Sequence, residues 1–230
     1  MSNIPKDAIQ CLDKGFVRLV DSMGGDEAIV QAARVSYGKG TTKLSQDRGL
    51  IRYLMRHRHT TPFEMVEFKF HCKMPIFVAR QWVRHRTANI NEYSLRYSEA
   101  RDEFYYPDPE HIQFQSALNK QGRMGDVSDE LKQKVREYFR EISDRSFEIY
   151  SELNDAGVAR ELARAILPVN LYTEWYWKND LHNLLHFVGL RSDSHAQYEI
   201  RVFSDAMAES VKAVAPFAWE AYQDYVISGL

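Results

Sequence analysis

The sequence predicts a mixed α+β fold, a small antiparallel or mixed sheet joined to a predominantly helical C-terminal half. Three observations predict it. Apolar and polar residues alternate with period two near the N-terminus and again around residues 66–74, as in strands with one buried face. From about Ser128 onward the apolar residues recur at helical spacing. The composition, 44% hydrophobic and 27% charged over 230 residues, is that of an ordinary globular chain, long enough to bury roughly 70 to 75% of its unfolded surface. No repeat, low-complexity tract or Pro/Gly/Ser linker divides it, so residues 1–230 read as a single domain.

In chain order, Phe16 to Val20 alternates as a strand, and Gly24-Gly25 breaks the chain before an amphipathic helix in DEAIVQAARVSY. Ser45 is placed to cap a second helix, QDRGLIRYLMRHR. Val66, Phe68, Phe70, Cys72 and Met74 make one face of a strand that Pro75 stops. Proline suits the first turn of a helix, so IFVARQWVRHR is expected to continue helically to about Arg86. After irregular EFYYPDPE and NKQGRMGD, a long helix runs from about Ser128 to Ala156. Its stripe is Leu131, Val135, Phe139, Ile142, Phe147, Tyr150 and Leu153, and Gly157 is its left-handed stop. Everything beyond reads as helices: VARELARAIL up to Pro168, Lys178 to Leu190, Ser194 to Ala213, and one after Pro216.

Composition also excludes whole classes of function. No stretch reaches the roughly 18 apolar residues of a membrane span, and MSNIPKDAIQ lacks the apolar core of a signal peptide, which places the chain in the cytoplasm with no membrane partner. Two cysteines, Cys11 and Cys72, build neither a disulfide framework nor a thiolate metal site. A net charge of -2 argues against a dedicated nucleic-acid binder. Yet Arg outnumbers Lys by 19 to 11, and Arg is the residue that grips phosphate and carboxylate bidentately.

The densest polar segment is Arg80 to Arg101. On a helix, Gln81, Arg84 and His85 at i, i+3 and i+4 present an amide, a guanidinium and an imidazole on one face. Asn89, Asn91, Glu92, Ser94 and Arg96 follow in a short non-periodic stretch whose hydrogen-bonding capacity exceeds that of a spacer. His57 and His59 end a helix, where an imidazole ordinarily complements the helix dipole. His182 and His186 sit one turn apart, but Asn183, Leu184 and Leu185 between them leave out the glutamate of HExxH, so no metal is expected. Arg164 and Arg191 lie in apolar surroundings and need partners, either Asp193 or Glu161 or an anionic ligand. There is no GxGxxG, no GxxxxGK[ST] and no GxSxG.

RHRTANINEYSLRY, Arg84 to Tyr97, resembles the RHRxxSxNExSxRY signature of the flavin-dependent thymidylate synthases at every fixed position except Asn89, which stands for the first Ser. TPFE at Thr61 to Glu64, PIFVARQW at Pro75 to Trp82, the run Leu167 to Thr173, and LRSDSHAQYEI at Leu190 to Ile200 are similar to that family in the same order. The stretch from about Pro107 to Asp126 shows the least likeness.

The resemblance implies an enzyme that methylates dUMP to dTMP with 5,10-methylenetetrahydrofolate as one-carbon donor and FAD, reduced by NADPH, as hydride source. It also implies a homotetramer with composite active sites. By that likeness Gln81, Arg84, Glu92, Ser94, Leu95, Arg96, Arg164 and Arg191 bind dUMP, with Arg191 ionising the uracil ring. Thr61, Arg84, His85, Arg86, Thr87, Glu92, Asp180, Leu181, His182 and His186 meet the flavin.

The residues agree with a route that needs no cysteine nucleophile, since neither Cys11 nor Cys72 has an activating partner in sequence. An adjacent guanidinium stabilises a deprotonated uracil electrostatically, and Arg191 is suited because it keeps its charge. Ser94 reads as a phosphate donor beside Arg96 rather than a nucleophile, for want of a base. Two rival readings stand: an RNA-binding module using Arg80, Arg84, Arg86, Arg96 and Arg101 with Trp82, Tyr93 and Tyr97 as stacking partners, and a flavoprotein reductase acting on another substrate.

Overall fold

In a computed structural model the structure describes residues 4–35, 44–118 and 121–229. Its strands are β1 (Ile9–Cys11), β2 (Gly15–Met23), β3 (Glu67–Pro75), β4 (Asn89–Glu92), β5 (Phe114–Gln115), β6 (Arg123–Met124) and β7 (Tyr172–Asp180). Five of them form one antiparallel sheet in the order β1-β2-β3-β7-β4, and β5 pairs with β6 as a separate ribbon. The fold class is the one the sequence predicts.

The alternation around residues 66–74 does what it implies: Phe68, Phe70, Cys72 and Met74 have no exposed surface, while Glu67, Lys69 and His71 face outward, half-buried. Lys73 departs from the pattern, buried with its ammonium 2.6 Å from Glu103.

The largest correction concerns β7, because the expectation of helices alone after Ala156, one starting near Lys178, fails there. TEWYWKND is a strand, paired residue for residue with β3 from Glu67↔Asp180 to Pro75↔Tyr172. Its Thr, Trp and Tyr residues alternate and favour strand, so the signal was present; Trp175 and Trp177 point into the core and Glu174, Tyr176 and Lys178 away from it. Asn89–Glu92, expected as loop, is edge strand β4, running antiparallel to β7 from Asn89↔Lys178 to Glu92↔Trp175. All four of its residues are exposed, so no buried face existed for the sequence to display. The β5–β6 ribbon lies in a stretch that also read as irregular.

The helices are α1 (Asp26–Arg34), α2 (Leu44–Arg56), α3 (Ile76–Trp82), α4 (Asp129–Asp155), α5 (Arg160–Ala163), α6 (Leu181–Arg191), α7 (Tyr198–Val214) and α8 (Pro216–Tyr222). Gly24, at φ +76°, makes the left-handed break before α1. Residues Ser36 and Tyr37 of the expected first helix, and the side chain of Ser45, lie outside the described residues. Helix α3 stops at Trp82, short of the expected Arg86, and Pro75 is the last strand residue rather than the first helical one. The reason is burial: Val78, Ala79 and Trp82 fill the core in two turns, the exposed Arg84 and Arg86 that follow offer no apolar face to continue it, and His85 packs on Phe187 from a turn, with ring centroids 4.9 Å apart.

Ser128 caps α4 by accepting from the Leu131 N–H at 3.3 Å, and Gly157, at φ +80°, lies just past its end. The expected stripe on α4 is only partly used. Tyr150 is buried and Phe147 and Leu153 pack beside it, whereas Leu131 and Ile142 are exposed. VARELARAIL breaks into short α5 and a 3-10 turn, Arg164–Ile166, and α7 begins at Tyr198 rather than Ser194.

The core lies between one sheet face and α3, α6 and α7. Trp82 is its hub, edge-on to Trp175 at 5.2 Å and stacked on Phe187 at 5.0 Å. With no exposed surface, Trp82 offers no face to a nucleobase, which removes one of the three stacking residues of the RNA-binding reading. No described helix is long and apolar enough to cross a membrane.

Candidate active site

Helix α6 builds one wall. Leu181, Leu184, Leu185, Phe187 and Val188 face the core, and the helical period then turns His182 and His186 outward on a common stripe. Asp180 caps this helix, accepting from the Asn183 N–H at 2.9 Å and its side-chain amide at 2.7 Å. Leu181 has no exposed surface and its N–H goes to the Val66 carbonyl at 2.8 Å. Both residues therefore anchor the start of α6 rather than line its outer face.

The opposite wall is the end of α2. The His59 N–H reaches back to the Leu54 carbonyl at 2.9 Å, a helix-ending turn that puts Arg58 at φ +56°. Glycine normally occupies that position, and a side chain there costs of order 1 kcal/mol. Between the walls is a cleft of about 690 Å³ with Arg56, Arg58, His59, Thr60, His182 and His186 around an apolar floor of Leu54, Phe63 and Leu185, within the roughly 300–1,000 Å³ of ligand sites. Thr61 is exposed at the start of the neighbouring 3-10 turn, Thr61–Met65. Asp193 also lines the cleft, its carboxylate engaged by the His195 N–H at 2.7 Å; the arginines and histidines over the apolar floor fit a planar ring system carrying phosphates.

Where α3 gives way to turns, His85 lies against His186 with ring centroids 6.1 Å apart. Its Nε2 accepts from the Arg191 Nε–H at 3.0 Å. Burial, then the Arg191 cation and His186, push the His85 imidazole down to about 4, so the ring is neutral at pH 7. With Nε2 the acceptor, its proton sits on Nδ1. Half-buried Arg191 keeps its charge, although burial lowers its pKa.

Gln81, half-buried on α3, donates through Nε2 to the Gln197 side chain. Arg84, Arg86 and Thr87 are exposed, and among the described residues neither arginine has an ion-pair partner. Glu92 accepts from the Thr173 hydroxyl at 2.7 Å.

The other expected substrate residues lie elsewhere in the chain. Ser94 Oγ accepts from the Arg96 N–H at 3.3 Å; Arg96 pairs with Glu161 of α5 at 3.2 Å, and Arg160 holds Glu99 at 2.9 Å. Leu95 packs against the second core cluster beneath α4. Arg164 follows α5 and is half-exposed, which corrects the expectation that it is buried; among the described residues it has no ion-pair partner, and Glu161, one of its expected partners, is engaged by Arg96. No hydrogen bond or ion pair among the described residues joins this group to Arg191, His85 or Gln81.

Neither thiol is poised to react. Burial pushes the Cys11 thiol up to about 12 and the fully buried Cys72 thiol well above its ordinary range. Sequence reasoning missed the cleft residues Arg56, Arg58 and Thr60, and it took His57 as a dipole partner without giving His59 a ligand; their only signal was the cluster of basic residues around Arg56 to His59. It missed Gln197 and Glu199 as well, although both sit inside the stretch Leu190 to Ile200.

A sequence profile described as "Thymidylate synthase complementing protein" matches residues 18–217. The chain is 55% identical to the flavin-dependent thymidylate synthase of Rickettsia conorii, over all of this chain and 82% of the relative. It is 59% identical to that of Ehrlichia ruminantium (strain Gardel), over 94% of this chain and 73% of the relative. Among solved structures it is similar to the UMP/dUMP methylase PolB from Streptomyces cacaoi bound with 5-Br dUMP, with a TM-score of 0.83 at 36% identity, covering 94% of this chain and 97% of that one. The same methylase bound with 5-Br UMP gives 0.85 at 37% identity, with the same coverage. With a matching profile over most of its length and relatives above half identity, the chain belongs to the family of the flavin-dependent thymidylate synthases.

Proposed function

We propose that this chain methylates dUMP to dTMP, taking the carbon from 5,10-methylenetetrahydrofolate and using FAD reduced by NADPH. The observation that carries this reading is the Arg191 guanidinium, fixed by neutral His85 beside the His182/His186 cleft, in a protein whose two thiols are buried and protonated.

Arg191 offers a fixed positive charge that favours the uracil with its N3 proton given up to solvent, and the negative charge then spread over the ring makes C5 a better carbon nucleophile. His85, accepting from Nε, leaves the two terminal nitrogens of Arg191 for the base. The exposed Arg84 and half-buried Gln81 grip the nucleotide, and Glu92 of the edge strand, held by the Thr173 hydroxyl, is the residue the family resemblance gives to both ligands. His182 and His186, with Arg86, Thr87 and Thr61, hold the flavin, while Asp180 and Leu181 set the helix that carries them. When bound, FAD supplies the hydride that turns the transferred one-carbon unit into a methyl group.

Ser94, Leu95 and Arg96 form the substrate-phosphate loop, and Arg164 is a further substrate contact. That no hydrogen bond or ion pair among the described residues joins them to the Arg191 group fits a site that a neighbouring chain completes, and the family resemblance makes that assembly a homotetramer. In this reading residues 1–230 act as one domain in the cytoplasm, with small-molecule partners and no nucleic acid or membrane.

The test is the absorption spectrum of the purified protein. It is expected to be yellow, or to become so after incubation with FAD and desalting, to change its flavin spectrum on adding dUMP, and to form dTMP when methylenetetrahydrofolate and NADPH are supplied. A preparation that stays colourless sinks the reading.

A further inference from the structure

Glu199, on the first turn of α7, is 3% exposed and accepts three hydrogen bonds. The Tyr105 hydroxyl reaches Oε1 at 3.1 Å; the Gln197 side-chain amide reaches Oε2 at 2.9 Å; and Arg123, of β6, pairs with the same Oε2. Burial, reinforced by Glu199 itself, pushes the Tyr105 phenol well up, so it stays a donor. Arg123 in turn donates to the His111 carbonyl at 2.6 Å, tying the β5–β6 ribbon to this carboxylate.

A carboxylate paired with a guanidinium only accepts hydrogen bonds. The Gln197 amide must therefore turn its NH2 toward Glu199 and its oxygen away, and that oxygen meets Gln81 Nε2. The Gln197 backbone has no freedom to compensate, because its carbonyl already takes the first N–H groups of α7, from Ile200 at 3.2 Å and Arg201 at 3.1 Å. Gln81 is thus forced to spend an N–H on Gln197.

We propose that Glu199 and Gln197 are positioning residues that set the amide orientation of Gln81, so that the nucleotide meets the Gln81 oxygen as an acceptor in one defined place. This rests on the proposed dUMP chemistry, and it gives Arg123 and the β5–β6 ribbon a link to the substrate site. An amide free to flip would offer the nucleotide donor and acceptor interchangeably and lose discrimination between them.

The experiment is calorimetric titration of dUMP into flavin-loaded protein, with melting temperature and flavin content recorded for each variant. Gln197→Met is expected to weaken dUMP binding about tenfold without changing flavin content. In a Gln81→Met background the same substitution is expected to add less than about twofold, because the relay then has nothing to orient. Glu199→Met is expected to weaken binding at least as much. Glu199→Gln is expected to restore it to within about threefold, since an amide oxygen at Oε2 keeps both Arg123 and Gln197 and its NH2 is taken by the Tyr105 hydroxyl, which accepts as well as donates. Additive effects of Gln81→Met and Gln197→Met, or loss of binding in a stably folded Glu199→Gln protein, overturn the relay alone. A flavin-loaded wild type that binds no dUMP overturns the relay together with the proposed function.

Discussion

Arg191 and His85 are 106 residues apart in sequence and joined by one hydrogen bond of 3.0 Å, Nε–H to Nε2. The bond leaves the guanidinium unpaired with any carboxylate among the described residues, with its terminal nitrogens available to a ligand. Arg191→Ala is expected to abolish dTMP formation while the protein still binds FAD in the wild-type ratio. Loss of flavin along with activity, measured by absorbance after desalting, would mean that Arg191 serves the cleft rather than the substrate.

The same contact has a pH signature. His85 is pushed down to about 4 in the folded chain, against roughly 6.5 when unfolded. Above pH 6.5 the ring is neutral in both states and contributes no pH dependence. Between 6.5 and 4 only the unfolded state takes up the proton, so stability falls as pH falls. Denaturant midpoints across this window should drop in the wild type and drop less in His85→Gln; equal slopes would contradict the assignment.

Ser94→Ala removes one neutral donor to a phosphate, which costs about 1.5 to 3 kcal/mol, or roughly a 10- to 150-fold weakening of dUMP affinity. An enzyme weakened in KM for dUMP is expected. A flavin-loaded Ser94→Ala protein with no turnover at saturating dUMP would point to a nucleophilic serine.

Cys11 and Cys72 are placed where no nucleophile works. The double variant Cys11→Ala/Cys72→Ala is expected to lose stability, roughly 1–3 kcal/mol from two small buried side chains, and to keep dTMP formation within about threefold at a temperature where it is folded. Abolished turnover in a folded double variant would restore a thiol mechanism.

Arg191 and Arg96 belong to groups that one chain does not bring into hydrogen-bonding contact. Two inactive variants, Arg191→Ala and Arg96→Ala, are therefore expected to recover part of their activity when co-expressed, because some mixed sites receive an intact residue from each chain. Mixed oligomers, separated by differential tags, that form without regaining activity would show that each chain completes its own site.

What the sequence determined by itself was whatever rests on local chemistry. The β3 alternation, the ends of α4 at Ser128 and Gly157, and the outward pairing of His182 with His186 follow from spacing and capping within a few residues. The Arg84 to Tyr97 signature named the family for the same reason: its fixed residues all fall within one short segment. Tertiary structure decided what depends on a partner far along the chain. Strand β4 has no buried face and exists because β7 lends it hydrogen bonds. Helix α3 ends at Trp82 because the exposed Arg84 and Arg86 beyond it offer no apolar face for another turn to bury. Arg164 is half-exposed because α5 stops short and its neighbour Glu161 turns to Arg96. His85 becomes a neutral acceptor only when burial and a guanidinium from α6 lower its affinity for a proton. Burial and long-range pairing are properties of the packed chain, and no window of sequence contains both members of such a pair.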